Sequence, residues 1–219
     1  MAARSTSVSF YNSTRSTTLT RVDWGLDHGD WDTEPPGQVG PQSSVSWESE
    51  SSGFLTGTEG WVRYYPLPLD TPVIPSPVPD EETIYIHWDN PYAGGNSYSF
   101  SAPAPYAVTQ NGDGSGDNAE VGLVLGGAYG PDTCRSGYVW RGANDSDHVC
   151  VSPETRDQAA ADNSQAAARV DPAGGPYGPD TCRQGYVWRE AFPGDHVCVT
   201  PETRSQAQAD NAEAARRVL

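Results

Sequence analysis

Residues 84–90 read Ile-Tyr-Ile-His-Trp-Asp-Asn. In an extended chain Ile84, Ile86 and Trp88 fall on one side and Tyr85 and His87 on the other, the signature of a strand with one buried face. The same period of two recurs on both sides of this stretch. Val8 and Phe10 alternate with serines. Val22, Trp24 and Leu26 form a second set, and Val45 and Trp47 a third. WVRYY at 61–65 is short and aromatic. Tyr98 with Phe100, Tyr106 with Val108, and Val121, Leu123 and Leu125 follow. About eight short strands separated by Gly, Pro, Asn and Ser clusters predict a mainly β sandwich or barrel. Pro66–Pro79 holds six prolines. It is expected to form a surface loop or an edge, because proline cannot donate to a central ladder.

The pattern changes after residue 125. Residues 129–170 recur at 177–218, shifted by 48 positions, with about 31 of 42 residues identical. A repeat this close divides the chain into residues 1–125, a first repeat at 126–171 and a second at 172–219. Each repeat reads as a short hairpin followed by a helix. GYVWR and HVCV are strand-like. Ser152-Pro153-Glu154 and Thr200-Pro201-Glu202 are helix starts: a capping hydroxyl, a proline in the first turn and an acid at the positive end of the dipole. The alanine stripe that follows is thin, so each helix is expected to pack against something flat, its own hairpin.

Each repeat carries two cysteines, Cys134 with Cys150 and Cys182 with Cys198. A unit of about 48 residues buries little apolar area and calls for a staple. A disulfide closing a loop of about 16 residues contributes on the order of 3 kcal/mol in the chain-entropy model. Zinc is the competing reading, because His148 and His196 stand two residues before Cys150 and Cys198. Cys, His and Cys supply only three ligands, at a spacing outside the usual finger patterns. Free buried thiols are a third reading. The expectation is a disulfide within each repeat, and with it a place outside the reducing cytosol.

Composition excludes several functions. There is no lysine, so Schiff-base chemistry is absent, and the net charge is −16. Residues 1–125 hold 16 acids against 4 arginines, a net of −12. Such a surface repels phosphate backbones, so nucleic acid is not an expected partner. It also resists anionic lipid, which leaves apolar, aromatic or headgroup-specific contacts for any membrane binding. The start, MAARSTSVSFYNS, lacks the apolar core of a signal peptide, and no run approaches a spanning helix. The absence of lysine and the richness in Ala, Gly, Asp and Arg suit a GC-rich bacterial source.

Two segments, SSGFLTGTEGWVRYY at 51–65 and IYIHWDNPYAGGNSYSF at 84–100, resemble the aegerolysin family of small, acidic β-sandwich proteins. There an S-G-x-x-T-G-T-E-G-like strand-turn is followed by a strand ending in W-D-C-P-W-G or a similar W-x-x-P-x-G turn. Trp88, Asp89, Asn90, Pro91, Tyr92 and Gly94 match that turn, with Asn90 where fungal members carry cysteine and Tyr92 where they carry tryptophan. DWGLDHGDW at 23–31 fits the family's aromatic-and-His loop. The proline-rich insert departs from the pattern. The resemblance covers about 120 of 219 residues. It implies lipid-headgroup binding without enzymatic activity, on proteins that often lack signal peptides. Any lysis (cytolysin or hemolysis activity) would need a pore-forming partner that supplies the transmembrane part. The repeats resemble a short Cys-containing tail module of actinobacterial proteins.

The candidate ligand-binding residues are Trp24, Trp31, Trp88 and Tyr92, near turns, where an indole or phenol ring suits a lipid interface. Asn90 joins them from the matched turn. Trp47 and Trp61, mid-strand, are assigned to the core. Asn111–Asn118 with Glu120 is similar to an oxygen-rich calcium loop, but its spacing misses the usual pattern and Asp-Gly steps also make hairpin turns. Glu48 and Glu50 share one strand face and show no second carboxylate across a cleft. No metal, cofactor or catalytic residue is expected. The chain is read as a secreted or cell-surface lipid binder with a stabilising or attachment tail. Self-assembly through copies of itself and lectin-like sugar binding are the alternatives.

Overall fold

The computed structural model describes residues 4–68 and 73–219, and the chain divides into two compact units between Pro131 and Asp132. Among the described residues the first unit has ten strands: β1 (Ser5–Asn12), β2 (Thr17–His28), β3 (Asp30–Thr33), β4 (Gln38–Val39), β5 (Ser43–Glu50), β6 (Thr58–Pro68), β7 (Ile84–Asn90), β8 (Ser97–Ser101), β9 (Tyr106–Asn111) and β10 (Asn118–Gly127). They form two five-stranded sheets, ordered β3-β5-β1-β10-β9 and β4-β2-β6-β7-β8. β1 runs parallel to β10 and antiparallel to β5.

The two sheets share one core. Val8, Phe10, Trp47, Val121, Leu123 and Leu125 of the first meet Leu19, Val62, Tyr64, Ile84, Ile86 and Trp88 of the second. Phe10 stacks on Tyr64 with centroids 6.1 Å apart, and Trp47 meets Trp88 at 6.1 Å. The mainly β expectation and the inward face of residues 84–88 therefore hold.

Three local expectations do not. Trp61 is not in the core: Val62 and Tyr64 take the inward positions of β6, and alternation sends Trp61 outward. Its ring lies over Gly25, where a Cβ would come within 2.5 Å of it. The set Val22, Trp24 and Leu26 is broken by register shifts between Arg21 and Asp23 and between Leu26 and His28. Leu19 and Leu26 pack inward and Trp24 turns out. Pro66–Pro68 continues β6 past the end of β7, paired with β2. The rest of the proline-rich stretch has no strand at 73–79, and residues 69–72 lie outside the described part.

In the second unit each repeat forms a two-residue ladder and a helix. β11 (Val139–Trp140) pairs with β12 (Cys150–Val151) and precedes α1 (Pro153–Arg169). β13 (Val187–Trp188) pairs with β14 (Cys198–Val199) and precedes α2 (Pro201–Glu213). The caps are those expected: Ser152 Oγ accepts from the Thr155 amide and Thr200 Oγ1 from the Thr203 amide. Cys134–Cys150 and Cys182–Cys198 are both bonded, at 2.04 and 2.07 Å. Both thiol pairs are thereby consumed, which removes the zinc and free-thiol readings.

The helices do more than cover their own hairpins. Asn163 and Asn211 donate to carbonyls of their own repeats, Ala143 and Ala191. The last turn, however, crosses over. Arg169 at the end of α1 donates to the Cys198 carbonyl at 3.1 Å and lies over the Tyr186 ring, both in repeat two. Arg217 after α2 donates to the Cys150 carbonyl at 3.1 Å and lies over Tyr138, both in repeat one. Beneath them Arg141 and Arg189 form buried bidentate pairs with Asp147 and Asp195. Each also donates to the other repeat, to the Ala191 and Ala159 carbonyls. Thin alanine faces set this arrangement. They bring backbones close enough for arginine to bridge, and the apolar cluster is only Ala143, Ala159, Ala191 and Ala207 with Phe192 against it. Among the described residues no helix is long and apolar enough to cross a membrane.

Candidate functional site

One end of the sandwich gathers three loops: residues 51–57 between β5 and β6, 91–96 between β7 and β8, and 112–117 between β9 and β10. Their contacts are specific. Arg4 donates to the Tyr92 carbonyl at 2.6 Å and forms an ion pair with Asp117. The Ser51 amide donates to the Arg4 carbonyl at 2.9 Å. Asn96 Nδ2 donates to the carbonyls of Gly114 and Gly116. A Cβ at Gly57 would sit 2.5 Å from the Asn90 carbonyl oxygen, so this close approach of two loops requires glycine there.

The predicted residues occupy different places around this end. Tyr92 is at the loop surface, 42% exposed, with the Arg4 guanidinium 5.9 Å from its ring centroid. Trp24 is 40% exposed, but on the strand, under the Arg21 guanidinium at 3.5 Å. Trp31 packs against the core edge-on to Trp88, at 5.7 Å. Trp88 and Asn90 are fully buried, and their expected place on a ligand surface is corrected. The indole N–H of Trp88 donates to Ser49 Oγ at 2.8 Å. Asn90 Nδ2 reaches the Ser5 and Asp117 carbonyls at 2.9 and 3.0 Å and ties the second sheet to the first. A buried amide that bridges sheets fixes the loop end without touching anything outside.

Two residues missed by the sequence reading complete the surface. Phe54 is 90% exposed and Leu55 is 49% exposed, at the tip of the loop joining β5 to β6. Leu55 sits at φ 62°, a region in which a leucine is uncommon. Thr56 Oγ1 accepts from the Gly53 amide and donates to its carbonyl, which closes the loop tightly. The signal was present in SGFLTG: two large apolar residues in a stretch whose neighbours are turn residues, where polar side chains are the rule.

The third loop carries its own explanation. Asp113 Oδ1 accepts from the Ser115 amide at 3.1 Å, and that bond holds the carboxyl below its ordinary range. The carboxylate closes a turn, as Asp-Gly hairpins do.

A separate group lies on the outward face of the second sheet. His28 Nδ1 and His87 Nε2 each lie 3.1 Å from one oxygen of Glu59. Asp89, opposite Glu59 on β7, has its carboxyl pushed up by partial burial and then by the Glu59 charge.

No known protein-family profile matches the chain. A stretch of 103 residues, 47% of this chain, is 25% identical to an uncharacterised protein of Dictyostelium discoideum, of which it spans 8%. Among solved structures, RahU protein in complex with a TRIS molecule aligns with 58% of this chain and 97% of its own, at 21% identity and a TM-score of 0.44. The lipid binding protein Nakanori aligns with 57% and 72%, at 14% and 0.42. IP-1A from Alcaligenes faecalis aligns with 56% and 91%, at 17% and 0.40.

Proposed function

We propose that the first unit is a non-enzymatic peripheral lipid-binding module and that the loop end inserts into the headgroup boundary. The observation that carries this is the apolar tip: Phe54, almost wholly in water, beside Leu55, with Tyr92 on the neighbouring loop. Holding two such side chains out at the tip of a loop between the sheets forfeits their burial, a sacrifice that makes sense where a second apolar phase receives them. An unusual backbone conformation at Leu55 adds to it, as strained positions concentrate at functional loops. The aegerolysin-like motifs at 51–65 and 84–100 contain these same two loops. With a net charge of −16, attraction to anionic lipid is not the driving force. The module therefore takes neutral sphingolipid or phosphoethanolamine-type surfaces, outside the cell. Lysis, where it occurs, needs a pore-forming partner, and the disulfide-stapled tail stabilises or attaches the module.

The test is co-sedimentation of the full chain with vesicles of those compositions. Binding should be weakly dependent on salt. Phe54→Ser and Tyr92→Ala should each lose most of it while shifting stability by no more than about 0.5 kcal/mol. Wild-type protein that ignores a broad vesicle panel but binds a glycan array or self-associates would replace this reading with the lectin or assembly one.

A further inference from the structure

We propose that Asp27, Glu59 and His87, with His28 beside them, form a binding site for a zinc-class divalent cation on the outward face of the second sheet. The site lies on the sheet face, at the strand ends that lead into the loop end, and does not depend on lipid binding.

Successive side chains of a regular strand point to opposite faces. The register shift between Leu26 and His28 breaks that rule, and both Asp27 and His28 are exposed. Glu59 lies directly opposite His28 on one side and Asp89 on the other. Bulges of this kind are a recurrent means of re-aiming side chains at sites.

One donor atom from each of Asp27, Glu59 and His87 lies within 4.8 Å of the others. Metal bonds of about 2.1 Å in a tetrahedron place ligand atoms about 3.4 Å apart. Half-buried and exposed side chains close that gap by rotation alone.

Three carboxylates, Asp27, Glu59 and Asp89, converge with two imidazoles. The nearby guanidinium, Arg63, is turned to Asp80, Thr83 Oγ1 and the Tyr85 ring. With neutral imidazoles the cluster carries an excess of negative charge that a divalent cation offsets. Each imidazole already directs a ring nitrogen at Glu59, where a metal would replace the shared proton. Mixed imidazole and carboxylate donors suit zinc, nickel or copper, whereas calcium and magnesium take all-oxygen shells.

The experiment uses the full chain, stripped with a chelator and titrated calorimetrically with zinc chloride at neutral pH. The expected result is a single zinc per chain. His87→Ala and Glu59→Gln should each weaken binding by at least about tenfold, with thermal midpoints close to wild type. His148→Gln combined with His196→Gln, in the tail, should leave the isotherm unchanged. Absence of zinc binding, an isotherm indifferent to both front-unit substitutions, or loss of binding in the tail variant would overturn the assignment.

Discussion

The two units answer the same folding problem with different materials. The sandwich buries a core of large aliphatic and aromatic side chains drawn from both sheets, and it contains no cysteine. The tail has four alanines at its centre, two disulfides, and two arginine–aspartate pairs that are almost completely shielded from water. The sandwich is stabilised chiefly by apolar area removed from water. The tail, too small for that, relies on covalent restraint and on polar groups whose partners are all inside. The difference teaches where each unit is vulnerable: the sandwich to lost volume, the tail to reductant and to single unpaired charges.

The largest effect should come from the cysteines. Each bridge contributes about 3 kcal/mol, so removing both with reductant, or with Cys→Ser at all four positions, should abolish the cooperative melting of the tail. The sandwich should keep its own transition, read by calorimetry of the full chain. Loss of both transitions together would break the contrast.

Next come two substitutions of similar size and opposite character. Asp195→Ala leaves the Arg189 guanidinium buried without its carboxylate, at a cost of about 3–5 kcal/mol confined to the tail. Trp47→Ala opens a cavity between Phe10 and Trp88 and costs about 3–5 kcal/mol confined to the sandwich. Denaturant melts of each variant, followed by near-ultraviolet dichroism, should show one unit moving and the other fixed.

A smaller effect, about 2 kcal/mol, is expected for Trp31→Ala, because that ring is only partly buried against Trp88. A shift near zero with loss of vesicle binding would return Trp31 to the lipid surface. A shift as large as that of Trp47→Ala would place it wholly among the core residues.

What could be read from the sequence follows the same division. IYIHWDN predicted its own buried face because period-two alternation with large apolar residues is a local property. The disulfides were readable because two copies of a small module with two cysteines each have few other ways to close. Ser152 and Thr200 announced their helices because capping is decided within four residues. The misreadings involve partners far along the chain. The bulges in β2, which turn Trp24 out, depend on pairing with β6. The burial of Trp88 and the outward turn of Trp61, on adjacent strands, depend on which face meets the other sheet. Asn90 was taken for a contact residue, although its amide spans to Ser5 and Asp117, which sequence spacing does not reveal. The crossing of the tail helices was hidden because near-identical repeats fit either copy equally well.

That crossing locks the duplication in place. Arg169 completes repeat two and Arg217 completes repeat one, so neither copy holds a full set of its own contacts. Deleting one repeat removes more than half of the tail: the survivor loses the guanidinium over its tyrosine and exposes two backbone carbonyls. A single copy therefore lacks contacts that its twin alone supplies. The residues that carry the exchanged contacts, Cys150 and Cys198, Tyr138 and Tyr186, Arg169 and Arg217, stand at equivalent positions in the two copies, so each serves its twin as its twin serves it.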